Sequence, residues 1–84
     1  MEKRIGRVTH YFGRLGVAVL DLRDGLKVGD VVHILGHTTD LIQQVESMEI
    51  EHQKLDQAGP GSNVALKVSQ RVRAGDSVHR VTEE

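Results

Sequence analysis

Short runs rich in apolar residues, separated by polar segments that contain Gly, make up most of this chain. Ile5 to Phe12, Val17 to Leu22 and Val31 to Leu35 are short runs rich in Val and Ile, which predicts β-strands. The segments 12–16 and 23–25 between them contain Gly and predict turns. The first part of the chain is therefore predicted to form three consecutive strands.

The second half of the chain adds further strands, one of which alternates apolar with polar residues. One long, bent strand is predicted over residues 41–51, with Met48 and Ile50 on one face and Glu49 on the other. Residues 53–58 favour a short helical turn, which Gly59-Pro60-Gly61 ends. The last two strands are predicted at residues 63–68 and 77–81.

No segment keeps helical spacing of apolar residues over ten positions, so no α-helix is predicted. Short strands at nearly regular spacing favour an all-β fold, and closing the sheet hides strand edges that so small a chain could not otherwise cover. We predict a small closed β-barrel of six to seven strands. The chain is expected to be a single domain, residues 1–84, with the barrel at about residues 5–81.

Two similar phrases, Leu26 to Ile34 and Val72 to Val81, each place Gly-Asp directly before a β-branched run. Pro60 to Val68 is a third variation. These phrases predict turns that lead into strands, so Asp30 and Asp76 are interpreted as turn formers and not as a catalytic pair.

The 84-residue composition limits the core and the chemistry. Twelve Val against one Tyr, one Phe and no Trp predict a core of aliphatic side chains. The absence of Cys excludes disulfides and thiolate chemistry. No run approaches the roughly 18 apolar residues needed to cross a bilayer, so a cytoplasmic protein without a membrane partner is expected.

Charge is unevenly distributed, although the net charge is only −1. Residues 1–27 carry a net +3, residues 28–66 a net −5 and residues 67–84 a net +1. If the two ends pair, their cations would merge into one basic face; the alternative is scattered, solvated charge. The near-neutral total argues against binding nucleic acid by bulk attraction.

No catalytic or cofactor motif is present. Phosphate-binding and dinucleotide-binding glycine loops are missing, and no Ser, His and acid constellation is fixed by spacing. His33 and His37 lie four apart, but a strand that turns at Gly36 does not make their rings converge. We therefore expect no catalytic residue, no metal and no cofactor.

Two phrases in order, Gly25 to Gly36 and Val45 to Val64, resemble the second domain of translational GTPases, most closely elongation factor Tu and elongation factor one-alpha. The similarity covers roughly Ile5 to Val81. It implies a closed barrel of the translation-factor type that helps to hold the 3′ end of tRNA. By that resemblance Glu49 and Asn63, fourteen residues apart, would border a pocket for the terminal adenosine, and His52 stands at a position that is basic in Tu-type factors.

Departures from the family pattern are Ser62 in place of an acid, Ala65 in place of Gly, and an altered loop at residues 12–16. Similar barrels also occur at the C-terminus of collagenase-like peptidases, some of which take part in RNA modification. A stand-alone version would serve such an enzyme in trans.

The resulting hypothesis is a non-catalytic, stand-alone, elongation-factor-like accessory module that binds tRNA or ribosomal RNA; DNA is not expected. Tyr11 would stack on a base. The cations expected to meet phosphates are Arg7, Arg14, Lys67, Arg71 and Arg73.

The alternative hypothesis is a protein-binding adaptor that docks on a GTPase or on an RNA-modification or peptidase-like enzyme. The near-neutral charge and the scarcity of aromatic residues favour it. Its partner would face the acidic middle of the chain, namely Asp40, Glu46, Glu49, Glu51 and Asp56.

Overall fold

The structure is a computed structural model that describes residues 1–82. In this range ten β-strands form and there is no helix. The described residues therefore contain no helix that could span a membrane. The strands are β1 Glu2–Phe12, β2 Val17–Leu22, β3 Leu26–Lys27, β4 Val31–Leu35, β5 Asp40–Gln44, β6 Met48–Ile50, β7 Gln53–Leu55, β8 Gln57–Ala58, β9 Asn63–Lys67 and β10 Ser77–Val81. The all-β prediction is confirmed.

Eight of these strands form one antiparallel sheet in the order β5-β4-β10-β1-β2-β9-β6-β7, and β3 pairs with β8 in a second, two-stranded sheet. Across residues 1–82 the outer strands β5 and β7 do not pair with each other. The prediction of a closed barrel of six to seven strands was therefore wrong, since no ladder closes the sheet.

The sheet stays open because the predicted long strand over residues 41–51 is two strands. β5 pairs with β4 until that partner ends at the Gly29-Asp30 turn, where the Val45 amide donates to the Asp30 carbonyl at 2.8 Å. Beyond Val45 the chain has no β4 residues left to pair with. Met48 pairs instead with Leu66 of β9, at the other side of the sheet.

Gln43 spans the resulting gap with its side chain. Its Nε2 donates to the Lys67 carbonyl at 2.8 Å, and its Oε1 accepts the Ser69 amide at 2.8 Å. One carboxamide thus connects β5 to the end of β9 where a strand ladder would otherwise be required.

The segment over residues 53–58 is not helical. It forms β7, which returns along β6 in a hairpin that pairs Met48 with Leu55, and then β8, which pairs with β3. Sheet pairing therefore overrides the weak local helical preference of this segment.

The Gly-Asp phrases are confirmed as turns, and both turns are built in the same way. Gly29 and Gly75 have φ of 99° and 97°, values that Gly adopts without steric cost. The following Asp30 and Asp76 accept the backbone amides of Lys27 and Arg73 at 3.0 and 2.8 Å. Both carboxylates are thus engaged in forming turns.

Aliphatic side chains fill the interior of the curled sheet, as predicted. Tyr11 is the aromatic residue that packs against this core, and it does so while half-buried. The fully buried large side chains are Ile5, Leu20, Leu22, Ile34, Met48, Leu66, Val8, Val32, Val45, Val64, Val72 and Val78.

The two ends of the chain do meet, because β1 pairs with β10. Their cations do not form an uninterrupted basic face. Lys3 lies 2.7 Å from Asp24, Arg80 lies 3.6 Å from the same carboxylate, and Arg7 lies 3.9 Å from Asp21. The acids of the first segment therefore neutralise much of the charge there.

Candidate functional site

The outer face of four neighbouring strands, β1, β2, β9 and β6, carries a concave surface. Cross-strand pairing aligns His10, Val19, Ala65 and Glu49 in one row, because paired residues of an antiparallel sheet point to the same face. A bulge in β1 between Val8 and His10 brings the end of that strand into this row.

A groove of about 650 Å³ follows this face. Val17, Val19 and Ala65 are its half-buried apolar residues, and Phe12 and Leu15 from the β1–β2 turn are its exposed ones. The Phe12 ring stacks on His10, with centroids 6.1 Å apart. The polar residues that complete the groove are Ser47, Glu49, Glu51, His52, Asn63 and Lys67.

Four residues proposed from the sequence lie in this groove. Glu49 and Asn63, which were expected to share a pocket, both line it, together with His52 and Lys67. The sheet brings them together because β6 and β9 are adjacent strands. Glu49, His52 and Asn63, which the resemblance had grouped, therefore share one groove with Lys67.

The other five proposed residues do not line the groove. Tyr11 packs against the core, and Arg7 lies beside Asp21. Arg14 is exposed in the β1–β2 turn, and Arg71 and Arg73 are exposed on the segment between β9 and β10.

Sequence reasoning missed the apolar half of the groove: Phe12, Leu15, Val17 and Val19. The available signal was β2, where every residue from Val17 to Leu20 is apolar although only alternate positions are needed for the core. A strand that is apolar on both faces in a small domain indicates a second contact surface.

The β6–β7 turn at the edge of the groove has an unusual conformation. Glu51 and His52 have φ of 51° and 66°, so both occupy the left-handed region in a two-residue hairpin turn. Such turns favour Asn-Gly, and a residue with a side chain costs on the order of 1 kcal/mol there. Glu51 and His52 therefore occupy turn positions whose backbone conformation is unfavourable for both residues.

A second polar cluster lies on the outer face of β4 and β10, where His33 and His79 are direct cross-strand partners. The His33 Nδ1 lies 2.9 Å from Glu2, and its Nε2 lies 2.6 Å from Asp40. Hydrogen bonds to Asp40 and then to Glu2 raise the pKa of His33 above its ordinary value.

The two carboxylates meet opposite nitrogens of the His33 ring, so they do not converge on one point. Among residues 1–82, no three His, Asp or Glu side chains are arranged to hold a metal ion. The cluster is an ion-pair arrangement between β1, β4 and β5.

Comparison with curated proteins finds similarity to segments of proteases. The chain is 38% identical over 80 residues to an uncharacterized protease of Methanocaldococcus jannaschii, which covers 94% of this chain and 20% of the protease. It is 37% identical over 78 residues to a collagenase of Porphyromonas gingivalis, covering 90% of this chain and 22% of the collagenase. The chain thus spans about a fifth of the length of these relatives.

No protein-family model matches the chain. Among solved structures, the C-terminal domain of a Geobacillus thermoleovorans protein assigned to the U32 peptidases superposes with a TM-score of 0.88 at 24% identity, covering 95% of this chain and 93% of that one. The selenomethionine variant of this domain gives a TM-score of 0.85 at 25% identity, covering 90% and 96%. The fold is the one seen in these domains.

These findings overturn the resemblance to the second domain of elongation factors. The similar proteins are a protease and a collagenase, and the similar structures are U32 peptidase domains. The phrases that suggested a translation factor are mainly turn-and-strand segments, and turn chemistry recurs in unrelated β-proteins. The RNA-binding hypothesis was wrong, whereas the peptidase-like alternative fits.

Proposed function

We propose that this chain is a non-catalytic, protein-binding accessory domain that works with a U32-peptidase-like catalytic portion, either within one polypeptide or in trans. The observation that carries the proposal is the match of nearly the whole chain to only a fifth of a longer protease. Four fifths of that relative lie outside the match, which leaves ample length for a separate catalytic portion.

The groove supports a protein partner. Its exposed apolar residues are adjacent to one another and are surrounded by polar ones, an arrangement typical of surfaces that bind proteins or small ligands. The cytoplasmic location expected from the sequence stays a prediction.

A chimera tests the proposal. In the Porphyromonas gingivalis collagenase, the matched segment of 78 residues is deleted, or replaced by this chain. We expect the deletion to lower collagen hydrolysis and the replacement to restore most of it, measured as release of labelled peptide.

The control chimera carries an unrelated β-domain of similar size. Equal hydrolysis by the two chimeras would contradict the accessory role. Hydrolysis of labelled casein by the isolated 84-residue chain would contradict its non-catalytic nature.

A further inference from the structure

The groove leaves apolar area exposed that the fold does not use. Phe12 and Leu15 are 48% and 64% exposed, and they border the half-buried Val17 and Val19. Single exposed apolar residues are common, but a contiguous set along one concave face marks a binding surface.

The size of the groove argues for a short segment as its occupant. A volume of about 650 Å³ accommodates a few side chains and lies within the range of ligand sites. An extended segment presents every second side chain to the surface it lies on. An apolar side chain would then rest on Val19 and Ala65, in contact with Phe12.

The charged residues at the β6 side of the groove determine which neighbouring side chain an occupant could carry there. Glu49 and Glu51 lie on the β6 side of the groove, and Lys67 lies in the row of Phe12 and Val17. An occupant with a Lys or Arg beside its apolar anchor would pair with the two carboxylates, whereas an acidic neighbour would be repelled.

The β6–β7 turn provides an independent observation. Glu51 and His52 hold left-handed backbone conformations although Asn-Gly would fit the turn without strain. Unfavourable backbone conformations concentrate at ligand sites, where the side chain serves a purpose other than folding. Here both side chains line the groove.

We propose that the groove captures an extended segment of a polypeptide substrate, with an apolar side chain on Val19 and Ala65 and an adjacent Lys or Arg between Glu49 and Glu51. The source of the segment rests on the proposed function. The chemistry of recognition rests on the groove alone.

A peptide titration tests this inference. The 84-residue protein, labelled with ¹⁵N, is titrated with a hexapeptide of alternating Leu and Lys, capped at both ends. Amide shifts are expected at Phe12, Leu15, Val19, Glu49 and Ala65. A matched hexapeptide with Glu in place of Lys is expected to bind at least about fivefold more weakly. It loses the ion pairs with Glu49 and Glu51, each of which contributes a modest amount of binding energy.

Variants separate the groove from the rest of the surface. Glu49→Gln is expected to weaken binding of the Lys peptide severalfold without changing the melting temperature. Glu46→Gln is the matched control, since Glu46 is exposed and does not line the groove. Equal effects of the two substitutions would overturn the proposal.

The turn gives a further test. Replacing Glu51 and His52 together, Glu51→Asn with His52→Gly, is expected to raise the melting temperature and weaken binding. His52→Gly alone keeps the Glu51 charge and is expected to retain more of the binding. A stabilised double variant that binds the Lys peptide as tightly as the parent would overturn the role of the turn.

The experiments distinguish failure of the groove proposal from failure of the proposed accessory function. Shifts that are absent, lie outside the groove, or are the same for both peptides would overturn the groove proposal, whatever the chimera does. Groove binding together with an inactive chimera would instead refute the accessory function.

Discussion

At the scale of single residues, Gly6 decides whether β1 can pack against β2. It is buried next to the β1 bulge at Ile5, and it pairs with Leu22. A Cβ atom built at Gly6 would collide with the backbone carbonyl of Asp21. Because the obstacle is main chain, no rotamer change would relieve it.

We expect Gly6→Ala to lower the free energy of unfolding by about 3 kcal/mol, the upper end of overpacking effects. Gly59→Ala is the matched control, since a Cβ there meets nothing within 4 Å. Urea denaturation followed by circular dichroism measures both. Equal midpoints for the two variants would show that β1 and β2 can separate without cost.

At the scale of elements, the side chain of Gln43 connects two strands that no backbone ladder joins. β5 and β9 are not neighbours in the sheet, but the two hydrogen bonds of this side chain connect β5 to the Lys67 carbonyl and the Ser69 amide. One donor and one acceptor of this carboxamide therefore hold β5 beside the end of β9.

Gln43→Ala is expected to lower the free energy of unfolding by about 1–2 kcal/mol, from two partly exposed hydrogen bonds. Gln43→Glu is expected to be no better, because a carboxylate cannot donate to the Lys67 carbonyl. The exposed Gln70→Ala serves as the control. Faster hydrogen exchange at Ser69 in the Gln43 variants, but not in the control, would identify the contact.

At the scale of the whole molecule, His33 connects three strands through charge. Its ring lies between Glu2 of β1 and Asp40 of β5, and it faces His79 on β10, which is itself paired with Arg4 of β1. The raised pKa of His33 means that the folded protein binds this proton more tightly than the unfolded chain does.

The stabilising effect is therefore complete below the ordinary pKa of 6.5 and is lost as pH rises through the higher folded value. We expect the melting temperature to fall between about pH 6 and about pH 8, and His33→Gln to reduce that fall. His37→Gln, at an exposed turn position, is the control. A fall that is the same in both variants would assign the pH dependence to other groups.

Local patterns predicted several features correctly for physical reasons. Short runs rich in β-branched residues between Gly-containing turns favour strands, so β2, β4 and β10 were predicted at their observed positions. Gly followed by Asp favours a turn, so the turns at Gly29 and Gly75 were predicted from the sequence, and both glycines have positive φ.

Features that depend on distant partners could not be predicted in this way. β5 and β6 separate because β4 ends at Gly29-Asp30, and the side chain of Gln43 replaces a ladder because β9 lies across the gap. By itself the sequence determined an all-β fold and its turns, because these follow from local patterns of residues. The grouping of Glu49 with Asn63 in one site came from the resemblance to elongation factors and not from periodicity or spacing. Only the tertiary structure decided that the sheet stays open and that Phe12, Leu15, Val17 and Val19 join that site, because both depend on which strands become neighbours.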